Sequence, residues 1–169
     1  MKAHLILMQL VSISLSILVE AFINFERIEL MDEKDLMIIE AIMKNGRISK
    51  MELARILGIT EAAVRKRIAK LEENGIILGY KAIIDYKAAG FLASLTGIDV
   101  DPEKLWYVVE KLRDFDEIKS MWLTTGDHTI MTEILTKRTE ELSKVHKEIE
   151  KIEGVRRVCP AIIINTLKF

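Results

Sequence analysis

The stretch Ser49–Gly75, SKMELARILGITEAAVRKRIAKLEENG, decides the fold of the first half of this chain. It contains two amphipathic runs separated by Gly-Ile-Thr, and the second run carries most of the cations. Ser49 and Glu52 have the spacing of a capping box, in which each side chain satisfies the other's free backbone donor. Leu53, Ile56 and Leu57 then form an apolar face, and the small Ala54 lets a neighbouring helix cross close by. Gly58 supplies the positive φ that ends a helix in a tight turn. Thr60 caps the next helix. With Val64 at zero on a wheel of about 100° per residue, Ile68 and Leu71 fall within about 40° of it and face the core. Lys66 and Lys70 fall near about 200° and 240° by the same rotation, beside Ala62, Ala63 and Ala69, with Arg65 and Arg67 on the flanks.

Small residues on the outward face let a helix lie deep in a groove, and the cations then reach phosphates and base edges. From Arg47 to Lys70 there are seven cations (Arg47, Lys50, Arg55, Arg65, Lys66, Arg67, Lys70) and two anions (Glu52, Glu61), a local +5 in a chain of net charge −1. A solvated Lys/Arg face is the bland alternative. The turn, the spacing and the charge together favour a helix-turn-helix that binds double-stranded DNA. With no global basic field, attraction to DNA has to come from this patch.

Upstream, Asp32 is placed to cap a helix DEKDLMIIEAIMKNG. Leu36, Ile39, Ala41, Ile42 and Met43 supply its apolar stripe, and Asn45-Gly46 stops it. Downstream, Gly75 ends the third helix, and Ile76–Asp85 reads as one or two extended segments, a short wing or a strand-like linker.

From Phe91 the pattern changes. FLASLTGIDV reads as a strand, and Asp101-Pro102 as a cap with proline in the first helical turn. The helix that follows buries Leu105, Val108, Val109 and Leu112. IKSMWLTT and TIMTEILT are strands on either side of a Gly-Asp-His turn. Thr139 caps a last helix with Leu142, Val145, Ile149 and Ile152 inward, and His146 on its surface. VRRVCPAIIINTLKF is a final strand in which Pro160 demands an edge or a bulge. The order strand–helix–strand, strand–helix–strand predicts a ferredoxin-like βαββαβ unit, so the chain is α+β. Met121, Leu123, Ile130, Ile134, Ile162 and Ile164 supply apolar candidates for the two sheet faces. A homodimer packing sheet on sheet would cover the face away from the helices.

The domain plan is an N-terminal extension over 1–30, a helix-turn-helix unit over 31–80, a linker over 81–90 and the ferredoxin-like unit over 91–169. Between Ala3 and Val19 the extension carries no Asp, Glu, Lys or Arg. Three readings stay open for it: an upstream addition to a protein that starts at Met31, an extra helix, or a membrane anchor. The single cysteine, Cys159, excludes an intramolecular disulfide and suits a reducing, cytoplasmic setting. His128 and His146 have no Cys or carboxylate at ligand spacing, so no metal site and no cofactor are expected. No phosphate loop or nucleophile motif is present, so no catalytic residue and no enzyme activity are expected.

The run MDEKDLMIIEAIMKNGRISKMELARILGITEAAVRKRIAKLEENGIILGYKAIID resembles the DNA-binding half of the Lrp/AsnC (feast/famine) transcription regulators. Residues 91–169, with TTGD between two strands, resemble that family's effector-binding domain, often called RAM and similar to ACT domains. The D-x-x-D start, the N-G-R-I-S turn, the E-L-A…G-I-T break and the R-I-x-x-L-E-x-x-G-I-I ending carry the resemblance jointly. It implies a winged-helix-like DNA-binding unit, homodimers often assembled into octamers or other higher oligomers, pseudo-palindromic promoter sites, and small effectors, commonly amino acids. By position, the DNA contacts are Arg47, Ser49, Thr60, Glu61, Ala62, Ala63, Arg65, Lys66, Arg67 and Lys70. The effector loop is Thr124, Thr125, Gly126, Asp127 and His128. Two departures stand out. Asp85-Tyr86 replaces the frequent Asp-Pro, and Gly126-Asp127-His128-Thr129 replaces a Gly-Asp-aromatic-Asp loop, which removes one expected carboxylate. The rival reading is an amino-acid-binding assembly protein whose helical unit binds another protein.

Overall fold

The computed structural model describes residues 31–167, so the three readings of residues 1–30 lie outside the described residues. The chain divides into two compact units, with the boundary between Ala82 and Ile83.

The first unit holds α1 (Glu33–Lys44), α2 (Lys50–Leu57) and α3 (Glu61–Glu73). Asp32 caps α1 by accepting from the Asp35 backbone N–H at 3.0 Å, while the Asp35 carboxylate accepts from the Asp32 N–H at 3.3 Å. The core is Ile38, Leu53, Leu57, Val64, Ile68 and Leu71, all buried. Three expected core positions prove exposed. Ile38 is the buried apolar residue of α1, whereas Leu36 and Met43 are 47% and 81% exposed; Ile56 of α2 is 51% exposed. Helix α1 is apolar on most sides, so its stripe can be drawn at more than one angle, and packing against α2 and α3 selects the one centred on Ile38. Over Ile76–Asp85 no strand forms; Ile76 and Ile77 pack against the three-helix core instead.

The second unit runs β1 (Leu92–Val100), a 3-10 turn (Pro102–Lys104), α4 (Leu105–Arg113), β2 (Ile118–Leu123), β3 (Ile130–Thr136), α5 (Thr139–Glu150) and β4 (Val155–Ile162). The sheet is antiparallel with order β2-β3-β1-β4, the ferredoxin-like arrangement. Strand β4 is an edge, which accommodates Pro160 opposite Thr96.

Alternation sends Ser94, Thr96, Ile98 and Val100 to the helix-covered face, with Ile130, Thr132 and Ile134 of β3. Val108, Val109 and Leu112 of α4 and Leu142, Val145 and Ile149 of α5 close this core. Two end caps differ from expectation. Arg138, not Thr139, is the residue before α5, where the Glu141 carboxylate accepts from its N–H at 3.3 Å. Asp101 makes no cap bond and instead pairs with Arg156.

The opposite face presents Ala93, Leu95, Gly97 and Asp99 of β1, with Trp122, Met131, Glu133, Leu135, Cys159 and Ala161 from the register partners. Ile130 and Ile134 thus lie under the helices and Met121 packs with them, so the open face draws its apolar character from Leu95, 40% exposed, and Trp122, 50% exposed. Among the described residues no helix is long and apolar enough to cross a membrane.

Candidate nucleic-acid interface and effector loop

The turn between α2 and α3 is fixed by local chemistry. The Ser49 hydroxyl accepts from the Glu52 N–H at 3.0 Å, but the reciprocal half of the capping box does not form. Gly58 adopts φ 62°, ψ 37°, a left-handed conformation that costs a residue with a Cβ, and the Ile59 N–H reaches back to the Ala54 carbonyl at 3.1 Å. Thr60 then caps α3, its hydroxyl accepting from the Ala63 N–H at 3.2 Å. These three devices set the angle at which α3 leaves the turn.

Burial of Val64, Ile68 and Leu71 rotates Ala62, Lys66, Ala69 and Lys70 to the exposed side. Neither lysine takes an ion-pair partner among the described residues. With Ala63, both line a cleft of about 400 Å³ that Asp32, Asp35 and Arg67 also line. Arg47 and Ser49 are exposed at the N-terminal end of α2. Arg65 is paired with Glu61 one turn earlier on α3, both side chains well exposed.

Arg67 departs from the outward set. Its Nη1 lies 2.7 Å from Asp32 Oδ2 and 2.7 Å from Asp35 Oδ1, and only 29% of its side chain is exposed. The guanidinium therefore faces the first turn of α1, not the open side. The Asp35 backbone N–H and then Arg67 hold the Asp32 carboxyl below its ordinary range, and the two carboxylates raise Arg67 above its own. In the sequence, Asp32 and Asp35 stand out only as helix-start residues.

In the second unit, the β2–β3 connection is a short closed turn. The Thr124 N–H donates to the Thr129 carbonyl at 3.0 Å, and the Thr124 hydroxyl donates to the His128 carbonyl. Thr125, Gly126 and Asp127 sit at the exposed tip. His128 does not project with them. It folds onto the open sheet face, where Nδ1 lies 2.9 Å from Asp99 Oδ1, and Arg157 Nε donates to Asp99 Oδ2 at 2.6 Å. Burial pushes the Asp99 carboxyl up, but the hydrogen bonds from His128 and Arg157 outweigh it and hold it below the ordinary carboxylate range. The ring lies directly over Gly97: a Cβ there would meet His128 Cδ2 at 2.1 Å.

Gly97, Asp99 and Arg157 were not among the expected loop residues. Gly97 and Asp99 share a face at strand spacing, and Asp99 is the register partner of Arg157, so only the β1–β4 pairing reveals the group.

His146, expected on a helix surface, is buried at 8% exposure on the covered face. Its Nε2 lies 3.0 Å from the Thr96 hydroxyl, which is 2.6 Å from Ser94 Oγ. Burial lowers its pKa, with only a small opposing effect from Glu150. Among the described residues no group of three or more His, Cys, Asp or Glu side chains is placed to hold a metal ion.

The two units define a class of protein: a helix-turn-helix joined to a ferredoxin-like ligand-binding fold. Residues 31–77 match the model of winged helix-turn-helix DNA-binding domains, and residues 94–169 match that of the Lrp/AsnC ligand binding domain. The chain is 46% identical over 141 residues to the HTH-type transcriptional regulator LrpA of Pyrococcus abyssi, covering 82% of this chain and 100% of that protein. It is 45% identical to the LrpA of Pyrococcus horikoshii over the same shares. Among solved structures it is similar to the leucine response regulatory protein LrpA of Mycobacterium tuberculosis, with TM-score 0.69 and 26% identity, covering 82% of this chain and 96% of that one. The structure of E. coli AsnC aligns with TM-score 0.62 and 25% identity, over 82% and 95% of the two chains. The chain belongs to the Lrp/AsnC family of transcription regulators.

Proposed function

We propose that the chain is a sequence-specific transcription regulator that inserts α3 into the major groove of duplex DNA and responds to a small effector, such as an amino acid, held at the β2–β3 loop. One observation carries the DNA reading: α3 presents Lys66 and Lys70, without carboxylate partners, on a face otherwise made of small alanines. Exposed cations beside small residues are what a groove lined by phosphates selects. Arg47 and Ser49 at the start of α2, and Thr60 and Glu61 at the start of α3, border the same surface. The DNA-binding unit is assigned to 31–80 and the effector unit to 91–169, joined by 81–90.

The open sheet face, with Leu95 and Trp122, is assigned to a homodimer interface that pairs two copies of α3 for a pseudo-palindromic site, with room for higher assemblies. The chain acts by binding, with no catalytic residue assigned, and works in the cytoplasm where its DNA is.

Binding to a duplex selected from genomic fragments, followed by fluorescence anisotropy across a salt series, tests the interface. Lys66→Ala and Lys70→Ala are each expected to weaken binding and to flatten the slope of log K against log salt by about 0.9. Unchanged slopes in both variants would sink this placement of α3. For the loop, the twenty amino acids are screened for an effect on DNA affinity or on assembly. Asp127→Ala is expected to abolish the effect found, and a variant that responds like the wild type reduces Asp127 to a turn residue.

A further inference from the structure

We infer that the first turn of α1 is the device that positions the DNA-reading helix, with Arg67 as its latch and not as a DNA contact; this rests on the reading of α3 as the groove-binding element. Three contacts converge there. Arg67 of α3 bridges Asp32 and Asp35 at 2.7 Å each. Lys34 Nζ donates to the carbonyl of Leu57, the last residue of α2, at 3.4 Å. Asp32 and Asp35 are locked to each other through reciprocal cap bonds. One helical turn thus holds the end of α2 and the middle of α3.

The chemistry sets the direction of the effect. Asp35 is 4% exposed, so withdrawing Arg67 would leave a buried carboxylate without its ion-pair partner. Arg67 in turn is drawn out of the cation row that faces solvent. Apolar packing by Val64, Ile68 and Leu71 fixes how deep α3 sits, but side chains of similar shape tolerate a small roll. The two-carboxylate bridge resists that roll, because turning α3 outward would lengthen both ion contacts and strand a buried carboxylate. Base reading needs side chains held to within a fraction of an ångström, whereas attraction to phosphates tolerates a loosened helix.

Positioning and contact therefore separate in experiment. Asp35→Asn removes no cation from the DNA-facing surface. It is expected to lower discrimination, the affinity for a duplex selected by the wild type over that for a shuffled duplex of equal composition, by about tenfold, the size of losing recognition of one base pair. Affinity for the shuffled duplex and its salt slope stay at the wild-type values. Loss of folding alone would lower both affinities together, so the ratio reports position and not stability. Arg67→Met is expected to lose discrimination equally with no change in salt slope. Arg67→Lys, whose single ammonium can still bridge both carboxylates, should restore most of it and remains measurable where Asp35→Asn melts. A slope flattened by about 0.9 in Arg67→Met, with discrimination intact in Asp35→Asn, would overturn the proposal and return Arg67 to the contact set. Failure of the wild type to select any duplex is a separate result: it removes the reading on which this one rests.

Discussion

Gly97→Ala tests the seat of the β2–β3 loop most sharply. The added methyl would lie 2.1 Å from His128 Cδ2 and 2.3 Å from Cγ, atoms too near the side-chain stem to be relieved by a shift of the ring's tip. His128 must leave the sheet, and its bond to Asp99 goes with it. A hydrogen bond to a charged group is worth about 1.5–3 kcal/mol. Asp99 keeps Arg157, so its carboxylate is not stranded. Alanine returns up to about 1 kcal/mol through the reduced freedom of the unfolded chain, since Gly97 has no left-handed φ to preserve. The net cost is about 1–2 kcal/mol, or roughly 5–15 °C in melting temperature for a unit of this size. The assay is a double-mutant cycle with His128→Ala, read by thermal denaturation at one fixed protomer concentration. Once His128 is alanine there is no ring to displace, and Gly97→Ala should become neutral or slightly stabilising. The coupling is expected at about 1–2 kcal/mol. Additive costs, within about 0.5 kcal/mol, would refute the stacking of His128 on Gly97.

Leu95→Asp places a charge on the apolar part of the open sheet face, and is expected to convert the proposed homodimer to monomers in sedimentation equilibrium; a mass unchanged from the wild type's would overturn the assignment of this face. His146 links acid to stability. Its folded pKa is depressed by burial, so below about pH 6.5 the unfolded chain binds the proton more readily and stability falls as pH drops toward the folded value. His146→Gln should flatten that part of the melting-temperature profile, and a variant curve parallel to the wild type's would show that His146 does not titrate this way.

The helix-turn-helix was legible because its signals are local. Ser49, Gly58 and Thr60 each act within four residues of themselves, and the wheel places Val64, Ile68 and Leu71 together without reference to any partner. Elsewhere helical spacing carries the information against the polarity of the side chain. His146 stands four residues after Leu142 and three before Ile149, on the stripe assigned to the core. A polar imidazole suggests a surface group, whereas the structure gives it a hydroxyl partner on Thr96 and buries it. For Gly97, Asp99, His128 and Arg157 the information was absent: they come from two strands and a loop, and nothing short of register brings them together. The stripe of α1 failed for another reason. With apolar residues at Leu36, Ile38, Ile39, Ile42 and Met43, periodicity does not choose a face, and contact with α2 and α3 does.

Charge counting treats all seven cations between Arg47 and Lys70 alike, and the structure ranks them. On the wheel Arg67 lies about 60° from Val64, close to the buried side, while Lys66 lies about 160° away. A long side chain at about 60° reaches across the helix pair to α1. Arg65 is an intermediate case: its pair with Glu61 is exposed on both sides, so exchanging Glu61 for a phosphate costs under about 1 kcal/mol. Arg67 is bound by two carboxylates, one of them only 6% exposed, and withdrawing it would leave Asp35 charged and buried, a cost of about 3–5 kcal/mol. On the proposed reading of α3, phosphate contacts worth little more than counterion release would recruit Arg65 and leave Arg67 in place. Arg65→Ala should therefore flatten the salt slope as Lys66→Ala does, although in the free protein Arg65 and Arg67 both carry ion pairs.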